Sequence, residues 1–316
     1  MIKKTLYFGN PCYLSVKDEQ LVIDSRLRGN DNKEQTETKD TRLIPVEDIG
    51  VVLLDHYGVV ISQWALSSLL ANNVAVIVCD KTHHPAGLLL TLSSNSLQEE
   101  MFSHQIAATL PLKKQLWQQT IKVKIKNQAA MLKQATKDEK PLLELAAKVT
   151  SGDDDNKEAR AARYYWKELF GADFTRERYG EPPNNLLNYG YAILRACVAR
   201  SLVGSGLLPT LGIHHHNQYN AYCLADDIME PYRPFVDSIV VRIMEEEMKS
   251  EEQGAERGEL VLTPSVKKKL LEIPVLDVLI GEEVHPLMVG LQRTTASLAK
   301  CFTGEEKRIV YPSFVS

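Results

Sequence analysis

The sequence predicts an α+β protein, with a small β-rich N-terminal domain over residues 1–90 and a larger all-α C-terminal domain over residues 91–316. Three observations predict this. Short β-branched and apolar runs bounded by turn residues recur through the first part of the chain. From Ser96 onward the apolar residues fall at helical spacing instead. A length of 316 residues also accommodates two domains of ordinary size, each able to bury a core.

The β-rich part begins with Thr5–Phe8 and Tyr13–Val16. Leu21–Ile23 follows the polar Lys17-Asp18-Glu19-Gln20, a hairpin-like turn. The charged, Gly/Asn-rich Ser25–Thr41 reads as a loop or a disordered excursion. Arg42–Pro45, Gly50–Leu54 and Val59–Ile61 are further strands. Ser62 is placed to cap a short helix whose Trp64, Leu66, Leu69 and Leu70 face a core, and Val74–Cys79 is a buried strand.

Helical periodicity then runs through Leu97, Met101, Ile106, Leu112, Leu116, Trp117, Ile121, Ile125, Met131 and Leu132. Pro111–Lys140 carries eight lysines against Asp138 and Glu139, which reads as a solvated helix face. Pro141–Val149 is a further helical piece, broken by Ser151-Gly152-Asp153-Asp154-Asp155. A helix follows from about Asn156 to Phe170, and then a loop at Gly180-Glu181-Pro182-Pro183. Asn184 and Asn185 are candidate caps for a long helix ending near Gly204 and Gly206, whose Gly190, Ala192, Ala196 and Ala199 permit close packing. Glu245–Glu259 is strongly acidic, a solvated loop or helix end, and helical text resumes at Val266–Leu271 and Pro286–Cys301.

Composition narrows the function classes. Lys plus Arg is 37 and Asp plus Glu is 41, a net charge of −4, so a uniformly basic coat for nucleic acid is excluded while a local basic face is not. Five scattered cysteines without a CxxC pair indicate neither a zinc ribbon nor a disulfide framework. The opening residues lack the apolar run of a signal peptide, and no run is apolar enough to span a membrane, so the expected compartment is a reducing cytoplasm.

Three segments carry candidate chemistry. In Lys157–Trp166, Glu158 shares one helix stripe with Ala161, Ala162 and Tyr165, where small residues let another element approach its carboxylate. The spacing of Asp155 and Glu158 equally fits a capping box, in which the glutamate serves only the helix start. In Leu211–Asn220, His214, His215 and His216 are consecutive and their side chains diverge, so the segment is a polar loop or presents one functional imidazole beside the uncharged Gly206–Gly212 run. In Leu224–Pro234, Glu230 shares a helix face with Asp226 and with Asp227, a repulsion tolerable beside a cation or at a helix N-terminus. Glu158, one histidine and Glu230 together make a mixed oxygen and nitrogen donor set suited to Mg²⁺ or Mn²⁺ in phosphoryl transfer.

These segments, in this order, resemble the CRISPR-associated integrase family in its type II version. The resemblance is carried by Glu158-Ala-Arg-Ala-Ala-Arg-Tyr-Tyr165, Pro182-Pro-Asn-Asn-Leu-Leu-Asn-Tyr-Gly-Tyr-Ala-Ile-Leu-Arg195, Gly206-Leu-Leu-Pro-Thr-Leu-Gly-Ile-His-His215 and Asn220–Pro234. Leu43–Gly50 and Val76–Asp80 carry it more loosely. It implies that Glu158, His215 and Glu230 are the catalytic metal ligands, with Asp227 a nearby acid. It implies a β-domain joined to a helical domain, homodimers, and a heterohexamer with a small ferredoxin-like second CRISPR-associated protein, other type II CRISPR proteins being further partners. It also implies the reaction: 3′-hydroxyl ends of a short DNA duplex attack phosphodiesters of the CRISPR repeat, inserting a spacer by transesterification. Lys113–Lys140 and Arg160, Arg163, Arg176, Arg178, Arg195 and Arg200 then become expected phosphate contacts. Two other classes compete on the residues alone: a small-molecule metallohydrolase built on the histidines, and a catalytically silent DNA-binding scaffold in which Glu158 is a cap.

Overall fold

The short apolar runs at the start of the chain hydrogen-bond into two four-stranded sheets. In the computed structural model, residues 3–25, 41–92, 94–177, 180–252 and 261–315 are described. Nearly all of the Ser25–Thr41 loop, Arg178 and the end of the acidic segment lie outside the described residues. The chain divides into two units, Met1–Ser94 and Asn95–Ser316.

In the first unit, one sheet has the order β1-β5-β7-β8 (Lys4–Phe8, Ile49–Leu54, Ala75–Cys79, Pro85–Leu89), with β1, β5 and β7 parallel and β8 antiparallel. β5 is central and almost wholly buried, which explains its unbroken apolar text. The other sheet has the order β4-β3-β2-β6 (Thr41–Pro45, Gln20–Asp24, Cys12–Lys17, Val59–Ile61). The β2–β3 hairpin turns at Asp18 and Glu19, whose φ values of 50° and 58° give the backbone twist that a two-residue hairpin needs.

Ser62 caps α1 (Gln63–Ala71), its Oγ accepting from the Ala65 amide at 3.2 Å. Trp64 does not face the core as the periodicity suggests: it is 63% exposed, and Ala65 joins the expected Leu69 on the inward face. In a nine-residue helix, one small and one large residue a turn apart suffice to seat it on the sheet. β8 was not signalled, because it opens on Pro85 and contains Gly87, residues tolerated at a sheet edge but read as breakers.

The second unit is mostly helical: α2 (Gln98–Ala107), α3 (Leu110–Gln134), α4 (Lys140–Ala147), α5 (Lys157–Phe170), α6 (Asn184–Gly204), α7 (Cys223–Met229), α8 (Arg233–Glu252), α9 (Pro264–Leu270) and α10 (Leu287–Thr303). It is not wholly α. β9 (Asp277–Ile280) and β10 (Glu283–Pro286) form a ribbon, with Gly281 at φ 65° in its two-residue turn. The 25-residue α3 buries Leu116, Trp117, Ile121, Ile125 and Leu132, and contacts α4, α5 and α8. The small residues of α6 do permit close packing, since a Cβ on Gly190 would stand 2.5 Å from Val236 Cγ1 on α8. Asn184 does not cap α6. It fastens the preceding loop instead, accepting from the Glu177 amide and Arg176 and donating to the Thr175 carbonyl.

Candidate functional site

The start of α5 decides what Glu158 is free to do. Asn156, at φ 52°, is the N-cap, and its side chain accepts from the Ala159 amide at 3.2 Å. Asp153 takes the two amides before that, Lys157 N and Glu158 N, both at 2.9 Å. The capping box expected from Asp155 and Glu158 is therefore absent: other side chains already satisfy the helix start. Asp155 pairs with Lys157 instead, at 3.0 Å. Ala161 and Tyr165, one and two turns on, are fully buried and hold this face of α5 against its neighbours.

Released from capping, the Glu158 carboxylate accepts from Nζ of Lys124, on α3, at 2.6 Å. The same ammonium lies 2.5 Å from Oε2 of Glu230. That second contact is an ion pair outside hydrogen-bond angles, for the buried Oε2 has no hydrogen-bond partner. Glu230 stands in a turn of 3₁₀ helix, Glu230–Tyr232, fixed by Asn127 Nδ2 donating to the Pro231 carbonyl at 2.7 Å. Its other oxygen, Oε1, accepts from Arg233 Nε at 2.7 Å. Burial opposes ionisation of Glu230, but Arg233 and Lys124 outweigh it and hold the carboxyl down at about 2. For Lys124 burial likewise opposes the charge, and Glu230 and Glu158 override it, raising the ammonium's pKa.

The histidine turn is organised by Asp227, which is fully buried on α7. Its carboxylate accepts the amides of Ile213 at 2.7 Å, His214 at 2.9 Å and His215 at 3.2 Å, and meets His215 Nδ1 at 2.5 Å. Gly212 makes room for this nest: a Cβ there would fall 2.4 Å from the His215 carbonyl and 2.8 Å from Asp227 Oδ2. The hydrogen bond to Asp227 raises the His215 pKa, and Glu230 and Glu158 are near enough to add to the shift. With Nδ1 engaged, Nε2 is the nitrogen turned to other uses. His214 instead stacks flat on Trp117, ring centroids 4.1 Å apart, and burial lowers its pKa. His216 is exposed.

The three acids of α7 and its continuation do not form one cluster. Asp226 takes Arg195 Nε at 2.6 Å and Asn220 Nδ2 at 2.7 Å, Asp227 holds the histidine turn, and Glu230 faces Lys124 and Arg233. Each has its own donors, so the repulsion suggested by their spacing does not arise.

Glu158, Glu230 and His215 thus come from α5, the 3₁₀ turn and the α6–α7 loop into one neighbourhood, with Lys124 of α3 between the two carboxylates. Two carboxylates and an imidazole nitrogen backed by a carboxylate are donors that Mg²⁺ or Mn²⁺ accepts. The two carboxylates and the ammonium they share mark a place that favours positive charge. Among the described residues, no three His, Cys, Asp or Glu side chains already converge on an ion position. The donor set fits a divalent cation by charge and donor type.

Lys124 was the residue the sequence reading missed, passing it over as one of eight lysines. Its signal is positional: it lies three residues after Ile121 and seven after Trp117, inside the apolar stripe, where a lysine needs a carboxylate partner. The expected phosphate contacts also divide. Arg200 is buried, Arg195 is paired with Asp226, and Arg176 is tied to Asn184, Asn188 and the Glu177 carbonyl. Arg160, Arg163, Lys126, Lys133, Lys137 and Lys140 are exposed. All five cysteines are free thiols.

A family model described as CRISPR associated protein Cas1 matches residues 6–273. The chain is 33% identical over 299 residues to the CRISPR-associated endonuclease Cas1 of Neisseria meningitidis, covering 94% of this chain and 91% of that protein. Among solved structures, a casposase bound to integration product aligns with a TM-score of 0.73 at 20% identity, over 98% of this chain and 93% of that one. A chain of a Cas6-RT-Cas1–Cas2 complex aligns with a TM-score of 0.69 at 19% identity, over 98% of this chain and 36% of that one. At these identities the structural likeness is one of fold.

Proposed function

The chain belongs to the Cas1 family of CRISPR-associated proteins, and from that membership we propose that it is a metal-dependent DNA integrase and endonuclease of spacer acquisition. The observation that carries the chemistry is Glu158: capped over by Asp153 and Asn156, it shares a cation with Glu230 next to His215.

In this reading, Glu158, His215 and Glu230 hold one Mg²⁺ or Mn²⁺. Such an ion, when bound, stabilises negative charge on phosphate oxygens and makes a hydroxyl more acidic. Asp227 fixes the His215 ring through Nδ1 and so presents Nε2. Arg233 keeps the Glu230 carboxylate ionised and turned inward. The reaction is a transesterification: the DNA 3′-oxygen bonds to phosphorus of the target phosphodiester as the old ester oxygen leaves. The proton lost by the attacking hydroxyl is gained by the departing one, and the number of phosphodiester bonds is unchanged.

The partners that accompany this reading are duplex DNA, a second copy of the chain, and a small ferredoxin-like second CRISPR-associated protein in a heterohexamer. Fold neighbours bound to an integration product and in a Cas6-RT-Cas1–Cas2 complex support DNA and a second CRISPR-associated protein as partners. Among the described residues no helix is long and apolar enough to cross a membrane.

A branched DNA that mimics the half-integrated product tests the chemistry, since strand transfer at one site is reversible. Wild type is expected to resolve it with Mn²⁺ and not with EDTA, and Glu158→Ala to fold, bind the branch and leave it intact. The control is Asn156→Ala, which removes the true cap: it should cost about 1–2 kcal/mol in a denaturant titration and still resolve the branch. Equal inertness of folded wild type and Glu158→Ala, both bound to DNA, would return the protein to the scaffold class.

A further inference from the structure

We propose that Lys124 is a built-in occupant of the cation seat, holding Glu158 and Glu230 together in the ion-free protein and leaving when a divalent ion binds. The inference rests on the metal-site reading above and adds a residue to it.

Three observations carry it. Lys124 is a buried lysine whose Nζ contacts both carboxylates, at 2.6 Å and 2.5 Å, so one ammonium answers two negative charges from separate elements. Without it the carboxylates would face each other half-shielded from water, offset by Arg233 on the far oxygen of Glu230 and by the nearby His215. The Glu230 carboxylate is thus met by a cation on each oxygen, Lys124 on Oε2 and Arg233 on Oε1, and only the Lys124 ammonium is shared with a second acid. An ammonium brings a single charge on a flexible stem, and it can swing away. A divalent ion brings two charges and accepts several oxygen and nitrogen donors at once, including the imidazole, which the ammonium cannot use as this structure holds it.

A seat filled by its own lysine is available to an ion only while the lysine is out. The apparent affinity is then the intrinsic one reduced by the open fraction. The arrangement keeps the two carboxylates ionised and roughly spaced before the ion arrives, at a cost in affinity.

The test uses the full chain and Mn²⁺ alone, with binding read by calorimetry and by the loss of the free-ion electron paramagnetic resonance signal. Lys124→Met is expected to bind Mn²⁺ about tenfold more tightly, the factor for a seat open about a tenth of the time. Its ion-free form should melt lower than wild type and gain more on adding Mn²⁺. Displacement is read in the wild type by amine labelling and mass spectrometry. Saturating Mn²⁺ should raise labelling of Lys124 several-fold and leave exposed Lys126 and Lys133 unchanged, a readout that does not need the variant to fold.

Glu158→Gln separates the two ideas. If it weakens Mn²⁺ binding while Lys124→Met binds no more tightly than wild type, or Lys124 stays protected at saturating Mn²⁺, the lysine is a fixed structural counter-ion and the proposal fails with the site intact. Mn²⁺ binding indifferent to both Glu158→Gln and His215→Ala would overturn the metal-site reading, and the proposal with it.

Discussion

Asp237 on α8 accepts the hydroxyls of Tyr165 at 2.8 Å and Tyr191 at 2.5 Å, and it is 1% exposed. Arg233 and Arg176 lie over the Tyr191 ring, 4.6 Å and 5.2 Å from its centroid. Burial wins over these hydrogen bonds and cations and pushes the carboxyl up to about 7. Since its pKa is raised in the folded state, Asp237 stabilises fully below the ordinary carboxyl value. That contribution is lost as pH climbs toward about 7, a span worth on the order of 4 kcal/mol at about 1.36 kcal/mol per unit. Glu230 acts in the opposite window: its lowered pKa lends stability above the ordinary value, which is lost as pH falls toward about 2. Asp237→Asn keeps the shape and cannot ionise. Denaturant titrations from pH 4 to pH 7.5 should show wild type losing stability relative to this variant as pH rises; parallel curves would mean that Asp237 ionises alike in both states.

The packing of α6 on α8 makes a sharper demand than any helix propensity. Gly190 leaves no room for a methyl group, its Cβ position being 2.5 Å from Val236 Cγ1 and 3.4 Å from Ile273 Cδ1. Gly190→Ala should therefore destabilise by about 1–3 kcal/mol even though alanine is the better helix former. Val236→Ala in the same chain should recover most of that loss, and a double-mutant cycle with no coupling would show that the helices separate freely. The need for small residues on α6 was legible because they recur along one helix, and so were the β2–β3 turn and the Ser62 cap, which are local. The start of α5 was not: Asp155 and Asn156 are both good caps by composition, and left-handed φ values at Asp153 and Asn156 decide between the candidates. Trp64 was lost for a related reason, because burial there follows the partner element and not the residue type, and the edge strand β8 because Pro85 and Gly87 read as breakers.

At the scale of the whole molecule, the donors Glu158, His215 and Glu230 are up to 72 positions apart; donor type suggested the set in the sequence, and the resemblance singled out His215 among the three histidines. The folded chain brings them near one another, and it does so with α3, whose Lys124 and Trp117 touch the carboxylates and the histidine turn. The same helix corrects the view of charge. A net charge of −4 hides a segment whose lysines have different tasks: Lys124 is internal, Lys114 pairs with Asp154, and Lys126, Lys133, Lys137 and Lys140 are exposed. If the exposed cations meet DNA phosphates, duplex binding must weaken as salt rises, with a log–log slope of about −0.9 per phosphate contacted. Replacing Lys126, Lys133, Arg160 or Arg163 singly by Gln should then shallow the slope by about 1 for each residue that touches DNA, and lower affinity alike for unrelated sequences. Arg195→Gln should leave the slope as it is, because Asp226 already holds that guanidinium. Equal slopes across all five variants would move the DNA track off α3 and α5, to cations elsewhere on the chain or on a partner.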